Sequence, residues 1–377
     1  MSPPQVTPRE QGGPAVPTIG VDIGGTKCLG VVVDIAGAVI AEQRLPTPRS
    51  GSSLLATVAA VVTELRAALG GARLSVGVGA PGLVDGRGVL RFAPNLPGVR
   101  ELPLRDRLLA DLLATPRPNL SAKADLLTEA DLPAKADLLT EAEYDPCAGD
   151  PQTERSSGTR EPDGVQVRVD NDATCAAWAE TVLGAAAGRS HVLLATIGTG
   201  IGGGLISDGR LVRGRHGFAG EIGHMVVDSR GPRCPCGQQG CWERYASGTG
   251  LGWMAREAAQ AGMAERVVEL AGGDPEAVRG EHVTVAAGEG DSEARAVMAR
   301  FAWWLALGLA NLANVLDPEM SVLGGGMVES GAVLLEPVEQ AFAGLLEGAP
   351  HRPLVPIVAA RLGERAGAVG AALLARG

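Results

Sequence analysis

From residue 18 onward, short apolar runs alternate with glycine-rich turns. "TIGVD" (18–22) has strand character, breaks at "IGGTK", and resumes as "CLGVVVD" (28–34), a strand–turn–strand unit. Residues 53–69, "SLLATVAAVVTELRAAL", place apolar side chains at helical spacing, and "LSVGVGAPG" (74–82) is a buried strand that runs into a loop. The order hairpin, helix, strand predicts an α/β domain with a mixed sheet. Further along, "VQVRVDNDATCAAWAE" (165–180) predicts a strand followed by a helix that starts near Asp172, and "HVLLATIGTGIGGGLIS" (191–207) repeats the first strand–turn–strand unit. That repetition predicts two related halves. "MSVLGGGMV" (320–328) adds a strand with a glycine turn, and "AGAVGAALLA" (366–375) a helix of small residues.

Two segments depart from this pattern. Residues 1–17 are proline-rich and predict a disordered tail. Between 114 and 164 the periodicity is lost, and "AKADLLTEA" occurs at 122–130 and again at 134–142. On one continuous helix the two Leu pairs would lie roughly 120° apart, and Pro133 would break that helix. The repeat therefore has no common face to bury, and we expect a solvated, dispensable insertion.

The run "AVMARFAWWLALGLANLANVL" (296–316) is long enough to span a bilayer by count. Arg300, Asn311 and Asn314 recur along it at helical spacing, which predicts a buried amphipathic helix instead.

Composition sharpens the picture. A chain of 377 residues predicts two domains. Its 54 glycines have no collagen-like period, so they mark tight turns where backbone amides approach a ligand. With four Phe and two Tyr, the core must be built from Ala, Val and Leu. A formal charge of −10 argues against nucleic acid and anionic membranes as partners. The N-terminal segment shows no apolar secretory core, so a cytoplasmic, reducing location is expected, where clustered cysteines bind metal more often than they pair.

The candidate chemistry lies at the turns. Gly24, Gly25, Thr26 and Lys27 in the first, and Thr199, Gly200 and Gly202 in the second, are candidates to wrap phosphate oxygens, with Gly325 of "LGGG" as a third contact. Each turn alone is equally compatible with a plain hairpin. Asp22, just before the first turn, is placed to hold a hydrated Mg²⁺. Asp172 is either a helix cap or a carboxylate kept ionised by the helix start, as a general base requires. Asn171 both donates and accepts, which suits a sugar hydroxyl. Cys175 is expected in the core. In "CPCGQQGCWE" (234–243), Cys234, Cys236 and Cys241 follow His224 as His-x9-Cys-x-Cys-x4-Cys, a ligand set for structural Zn²⁺; a disulfide or a chance cluster is the alternative. Glu221 and Glu243 flank this loop and would be fixed by it.

"DIGGTK", "GAPGLVD", "NDA", "TIGTGIGGG", "GEIGH", "CPCGQQGCWE" and "VLGGG" stand in the order and spacing of the ROK family of sugar kinases and sugar-responsive repressors, which the chain resembles over nearly all of residues 18–376. Within it, "APNLPGVRELPLRDRLL", "CWERYASG" and "RLGERAGAVGAALLA" are most similar to the actinobacterial-type glucokinases. The resemblance implies an α/β, actin-like ATPase fold of two domains around a cleft. The expected division is 18–170, with the insertion, completed by 363–377, and 171–362 containing the zinc loop 224–241. It also implies ATP-dependent phosphorylation of glucose at the 6-hydroxyl, with Asp172 as base. Asn171, Asp172, Glu221, His224 and Glu243 would bind the sugar, and a dimer or tetramer would form. Kinases for mannose, fructose or an N-acyl-hexosamine, polyphosphate as donor, and a non-catalytic sugar sensor are the rival expectations. The insertion and "NLPGV", where many relatives carry an aromatic after the Gly, depart from the family pattern.

Overall fold

The computed structural model describes residues 16–48, 50–69, 74–94, 96, 98–114 and 164–376. The repeated segment and nearly all of the N-terminal tail lie outside the described residues.

The first half begins with β1 (Thr18–Ile23), β2 (Lys27–Val33) and β3 (Val39–Pro46), an antiparallel meander, followed by α1 (Gly51–Arg66) and β4 (Leu74–Ala80). A small antiparallel sheet of β5 (Leu83–Val84), β6 (Leu90–Phe92) and β7 (Arg100–Leu102) leads into α2 (Leu104–Ala114). Next comes β8 (Val165–Asn171), which pairs in parallel with β4 and completes a sheet of order β3-β2-β1-β4-β8. β4 reads as an unbroken apolar run because it is central; all seven of its residues are buried.

The second half opens with α3 (Asp172–Val182), then β9 (Val192–Ile197), β10 (Ile201–Ser207) and β11 (Arg210–Leu211). A helical stretch follows: α4 (Glu243–Ala246), α5 (Gly248–Gln260), α6 (Glu265–Leu270), α7 (Gly280–Glu289) and α8 (Ser292–Leu316). β12 (Met320–Gly324), α9 (Ala332–Leu345), β13 (Ile357–Ala359) and α10 (Ala366–Leu374) close the chain. The second sheet, β11-β10-β9-β12-β13, has the same plan as the first, an antiparallel hairpin flanked by parallel strands. The repetition in the sequence is thus a repetition of topology.

Two helices join the halves. α10 rests on β1, β2 and β4 of the first sheet, α3 packs on β9 and β10 of the second, and α3 and α10 lie against each other. The contact is backbone to backbone. A methyl group at Gly77 of β4 would overlap the Ala371 carbonyl oxygen, and one at Gly370 would overlap that of Cys175. The run of small residues in 366–375 is therefore a steric requirement.

Outer layers bury the other sheet faces. α1 and α2 cover the first with Leu and Val, while the second carries the larger cluster, which includes the fully buried Trp242, Phe301 and Phe342. α8 is capped by Asp291, which accepts from the Ala294 N–H at 2.7 Å. It and the Gly51–Leu69 segment are long and apolar enough to cross a membrane by length and composition, but 56% of the most apolar window of α8 is buried within the fold. Arg300 on its surface pairs with Glu257 at 2.6 Å and lies 5.6 Å from the Trp253 ring centroid.

Because Gly370 has no room for a methyl, Gly370→Ala is expected to destabilise the protein by about 3 kcal/mol, the upper range for overpacking. Gly344→Ala, at an exposed position of α9 with nothing within 4 Å, should be neutral or stabilising by about 0.5–1 kcal/mol. Denaturant unfolding of the two variants checks the contrast.

Candidate active site

β1 carries Asp22 to the edge of the first glycine turn. Its Oδ1 is buried and has no hydrogen-bond partner among the described residues. Burial, and after it the charge of Asp172, push the Asp22 carboxyl well above the ordinary carboxylate range, with Lys27 opposing. The N-terminus of α10 closes on it: a methyl at Gly367 would lie 2.7 Å from the Asp22 carboxyl carbon. Of the turn amides, Gly24 donates to the Lys27 carbonyl at 2.9 Å. Gly24 is therefore corrected as a phosphate contact through its amide, since closing the tight turn uses that N–H, whereas the N–H groups of Gly25 and Thr26 have no partner among the described residues. Lys27 turns its ammonium to Glu364, which also binds Arg44. Arg44 and Arg365 both reach Glu42, so this exposed network ties β2 and β3 to the start of α10.

β8 runs straight into α3 at the next pair. Asn171 is the N-cap: its Oδ1 accepts from the Thr174 N–H at 2.9 Å, and its Nδ2 donates to the Gly82 carbonyl at 3.2 Å. Asp172 is thereby not the cap, which resolves one of the alternatives open in the sequence. It occupies the first helical position and accepts from the Ala173 N–H at 2.8 Å. Burial raises its carboxyl to about 6; the Ala173 N–H works against this, and the charge of Glu221 adds to it. Helices α3 and α10 thus both begin beside the two aspartates, where helix N-termini favour negative charge. Cys175, one turn into α3, is fully buried, and its thiol is held well above its usual value by burial.

The third group comes from the loop after β11. Glu221 precedes a single helical turn, Ile222–His224, that is pressed against β10. Burial raises its carboxyl, with His224 opposing and Glu243 adding. Glu221 Oε2 is 3.9 Å from His224 Nε2, and Glu243 Oε1 is 3.6 Å from His224 Nδ1. His224, Cys234, Cys236 and Cys241 bring their ligand atoms within 4.8 Å of one another. Cys236 and Cys241 are 3.6 Å apart at sulfur, and Cys234 Sγ is 3.7 Å from His224 Nδ1. Edges of a tetrahedron around zinc, with bonds of about 2.3 Å to sulfur and 2.0–2.1 Å to nitrogen, are roughly 3.5–3.8 Å. The four residues fit a closed metal site in which Nδ1 faces the sulfurs and Nε2 faces Glu221. All three thiols are free, so the disulfide alternative does not hold. Trp242 pins the loop, since its indole N–H donates to the Trp304 carbonyl of α8 at 2.8 Å.

The second turn meets this loop. A methyl at Gly200 would lie 2.6 Å from Glu243 Oε2, so the turn packs directly on that carboxylate. Gly198 N–H closes the turn on the Gly200 carbonyl at 3.0 Å, and the Thr199 carbonyl accepts from Thr249 at 2.8 Å. Gly325 adopts φ +86° with its Cα against the Ile197 backbone, which brings the "LGGG" segment to the same turn. Gly202 lies within β10, facing Thr196 and Ala173, a packing position on α3.

One contact was not visible in the sequence. Arg213, beyond β11, donates to Asp170 at 2.7 Å, and Asp170 accepts from the Asn171 N–H at 2.9 Å. This chain links the second sheet to the residue that caps α3. No motif marks it, because its partners are 43 residues apart.

A family model described as the ROK family matches residues 18–134 and 160–377. The glucokinase of Streptomyces coelicolor is 35% identical over 362 residues, covering 95% of this chain and 97% of that protein. The crystal structure of a ROK family glucokinase from Streptomyces griseus in complex with glucose and AMPPNP superposes with a TM-score of 0.73 at 35% identity, covering 96% of this chain and 99% of that one. The ROK hexokinase of Thermus thermophilus follows at 30% identity and a TM-score of 0.68, over 95% and 97% of the two chains.

Proposed function

The chain belongs to the ROK family and has its actin-like ATPase fold; from that premise we propose that it is a glucokinase, transferring the γ-phosphoryl group of ATP to the 6-hydroxyl of glucose. The observation that carries the proposal is Asp172: a half-buried carboxylate at a helix start, where Asn171 and not Asp172 is the cap, with Glu221 near enough to raise its pKa. A base of this kind is ionised near neutral pH yet still accepts a proton from an alcohol as it attacks.

Each group then has a part. Asn171, Glu221, His224 through Nε2, and Glu243 bind and orient the sugar hydroxyls, and Asp172 takes the O6 proton. Amides of the two turns, Gly25 and Thr26 with Thr199 and Gly200, cradle the phosphates, with Gly24, Gly202 and Gly325 keeping the backbone close. Lys27 leaves Glu364 to meet the donor. Asp22, whose buried Oδ1 lacks a partner, fits a hydrated Mg²⁺, which when bound neutralises phosphate charge. His224, Cys234, Cys236 and Cys241 would hold a structural Zn²⁺. With four protein ligands the metal has no open position, so its role is to fix Glu221 and Glu243. We further propose that the two halves, divided at 170/171 and with α10 returning to the first, form domains that close on sugar and ATP and exclude water as a competing acceptor. The enzyme is placed in the cytoplasm, where ATP and reduced thiols are found, and as a dimer or tetramer on the family likeness.

The direct assay is purified protein with Mg²⁺, a panel of glucose, mannose, fructose and N-acetylglucosamine, and ATP compared with polyphosphate; glucose with ATP is expected to give the highest kcat/KM. Preference for another sugar or donor would overturn the assignment.

Asp172→Asn keeps shape and hydrogen bonding but cannot take a proton. Its kcat should fall by about 10²–10⁴-fold while glucose affinity stays within a few-fold; kcat above about a hundredth of wild type would refute the base.

Because the raised pKa leaves Asp172 half protonated at about 6, kcat/KM should be level above that pH and fall tenfold per unit below it. A profile that stays flat down to pH 4.5 would show that the base is an unperturbed carboxylate.

Cys236→Ala should lose the metal and, through the freed carboxylates, about 10–100-fold in glucose affinity or activity. Metal content and glucose binding are to be measured together. A zinc-free variant that binds glucose like wild type would contradict the scaffold role.

A further inference from the structure

A cavity of about 400 Å³ lies beside β8, the edge strand of the first sheet among the described residues, and none of Asp22, Asp172, Glu221, His224 and Glu243 lines it. That size is within the range of small-molecule sites, about 300–1,000 Å³. Its walls are the inner face of β8, the 85–88 turn of the small sheet, the C-terminal half of α10, and the 213–217 segment beyond β11. It is therefore bounded by both halves of the molecule.

Its lining is unusually basic. Arg87, Arg105, Arg168 and Arg213 face it, with Asp85 and Asp170 as the carboxylates. Asp85 is already committed, accepting two N–H groups of Arg91, at 3.0 and 2.7 Å. Asp170 is committed to Arg213 at 2.7 Å. Arg168 has no acceptor among the described residues. Its register partner in β4 is Gly77, on which α10 sits, so its side chain leaves the sheet on the covered face. Both burial and the neighbouring Arg213 disfavour its charge. A guanidinium does not escape such a position by losing its proton, so an anion in the cavity would stabilise it. Across the cavity Arg87 and Arg105 make, among the described residues, long contacts to Asp85 at 3.6 Å and Asp106 at 3.4 Å, which leave most of their donors available there.

We propose that this cavity binds a small metabolite with two anionic groups, of the sugar bisphosphate class. One group lies between Arg168 and Arg213, and the other meets Arg87 and Arg105 at the rim. Such a ligand joins the first sheet to the loop of the second, and it touches the Arg213–Asp170 pair that supports Asn171. The site is independent of which sugar the enzyme phosphorylates.

The probe is fructose 1,6-bisphosphate, titrated calorimetrically at low ionic strength with glucose, AMPPNP and Mg²⁺ at saturation so that the catalytic groups are occupied. One equivalent is expected to bind, and affinity should fall on adding salt. Arg168→Gln should weaken binding by roughly tenfold or more, the loss expected for charge-assisted hydrogen bonds, while Arg168→Lys should weaken it less. Should Arg168→Gln fail to fold by circular dichroism, Arg87→Gln at the exposed rim carries the same expectation. No binding to the wild-type protein, or binding unchanged in the folded glutamine variant, would overturn the proposal.

Discussion

The structure depends on one packing constraint, the direct contact of α10 with β4 on one side and α3 on the other. Gly77 and Gly370 leave no room even for a methyl group, so helix and strand backbones touch. This closeness sets the position of everything at the N-terminal ends of the two helices. Asp22, at the end of β1, meets Gly367 of α10, and Asp172 begins α3 beside it. A wider layer, built on Leu or Val, would separate the two carboxylates and the two halves that carry them.

The electrostatic consequence follows from the same geometry. Two carboxylates and Glu221 share a buried space, and burial is the leading cause of the raised pKa of each. Helix N-termini soften this cost for both aspartates, and a cation would soften it further at Asp22. Asp22, with a buried oxygen that has no partner among the described residues, and Asp172, which accepts from the Ala173 N–H, are thus suited to different tasks by a difference in what they touch. The cysteine loop contributes rigidity: Trp242, buried under α8, anchors the segment that carries Glu243 to the second glycine turn, and His224, Cys234, Cys236 and Cys241 gather beside it.

Local patterns in the chain predicted local structure well. Both glycine turns, β4, β8 and the start of α3 stand where apolar runs and turn residues place them, because each is determined by a few consecutive residues. The cysteine spacing likewise brought four ligands together, since a short loop cannot carry them far apart. The helical stretch of α5 to α7 was harder to see, as many of its buried positions are Gly or Ala (Gly250, Gly252, Ala255, Gly280, Ala286, Ala287), residues that suit a turn as readily as a helix core. The distribution of roles within a turn was also hidden: that Asn171 rather than Asp172 caps α3 and that Gly24 spends its amide on the turn depend on the exact backbone geometry of three or four residues, and that Lys27 rests on Glu364 depends on a neighbour distant in sequence. The family likeness supplied the chemistry of the site, whereas the Arg168 cavity, assembled from both halves, left no local signal.

The account is tested most directly by a crystal structure of this chain with glucose, AMPPNP and Mg²⁺. It predicts the glucose O6 within about 2.6–3.2 Å of the Asp172 carboxylate, the γ-phosphorus in line on the far side of O6, and Asp22 turned to the cation. A complex in which O6 is held instead by Glu221 or Glu243, with Asp172 out of reach, would contradict it.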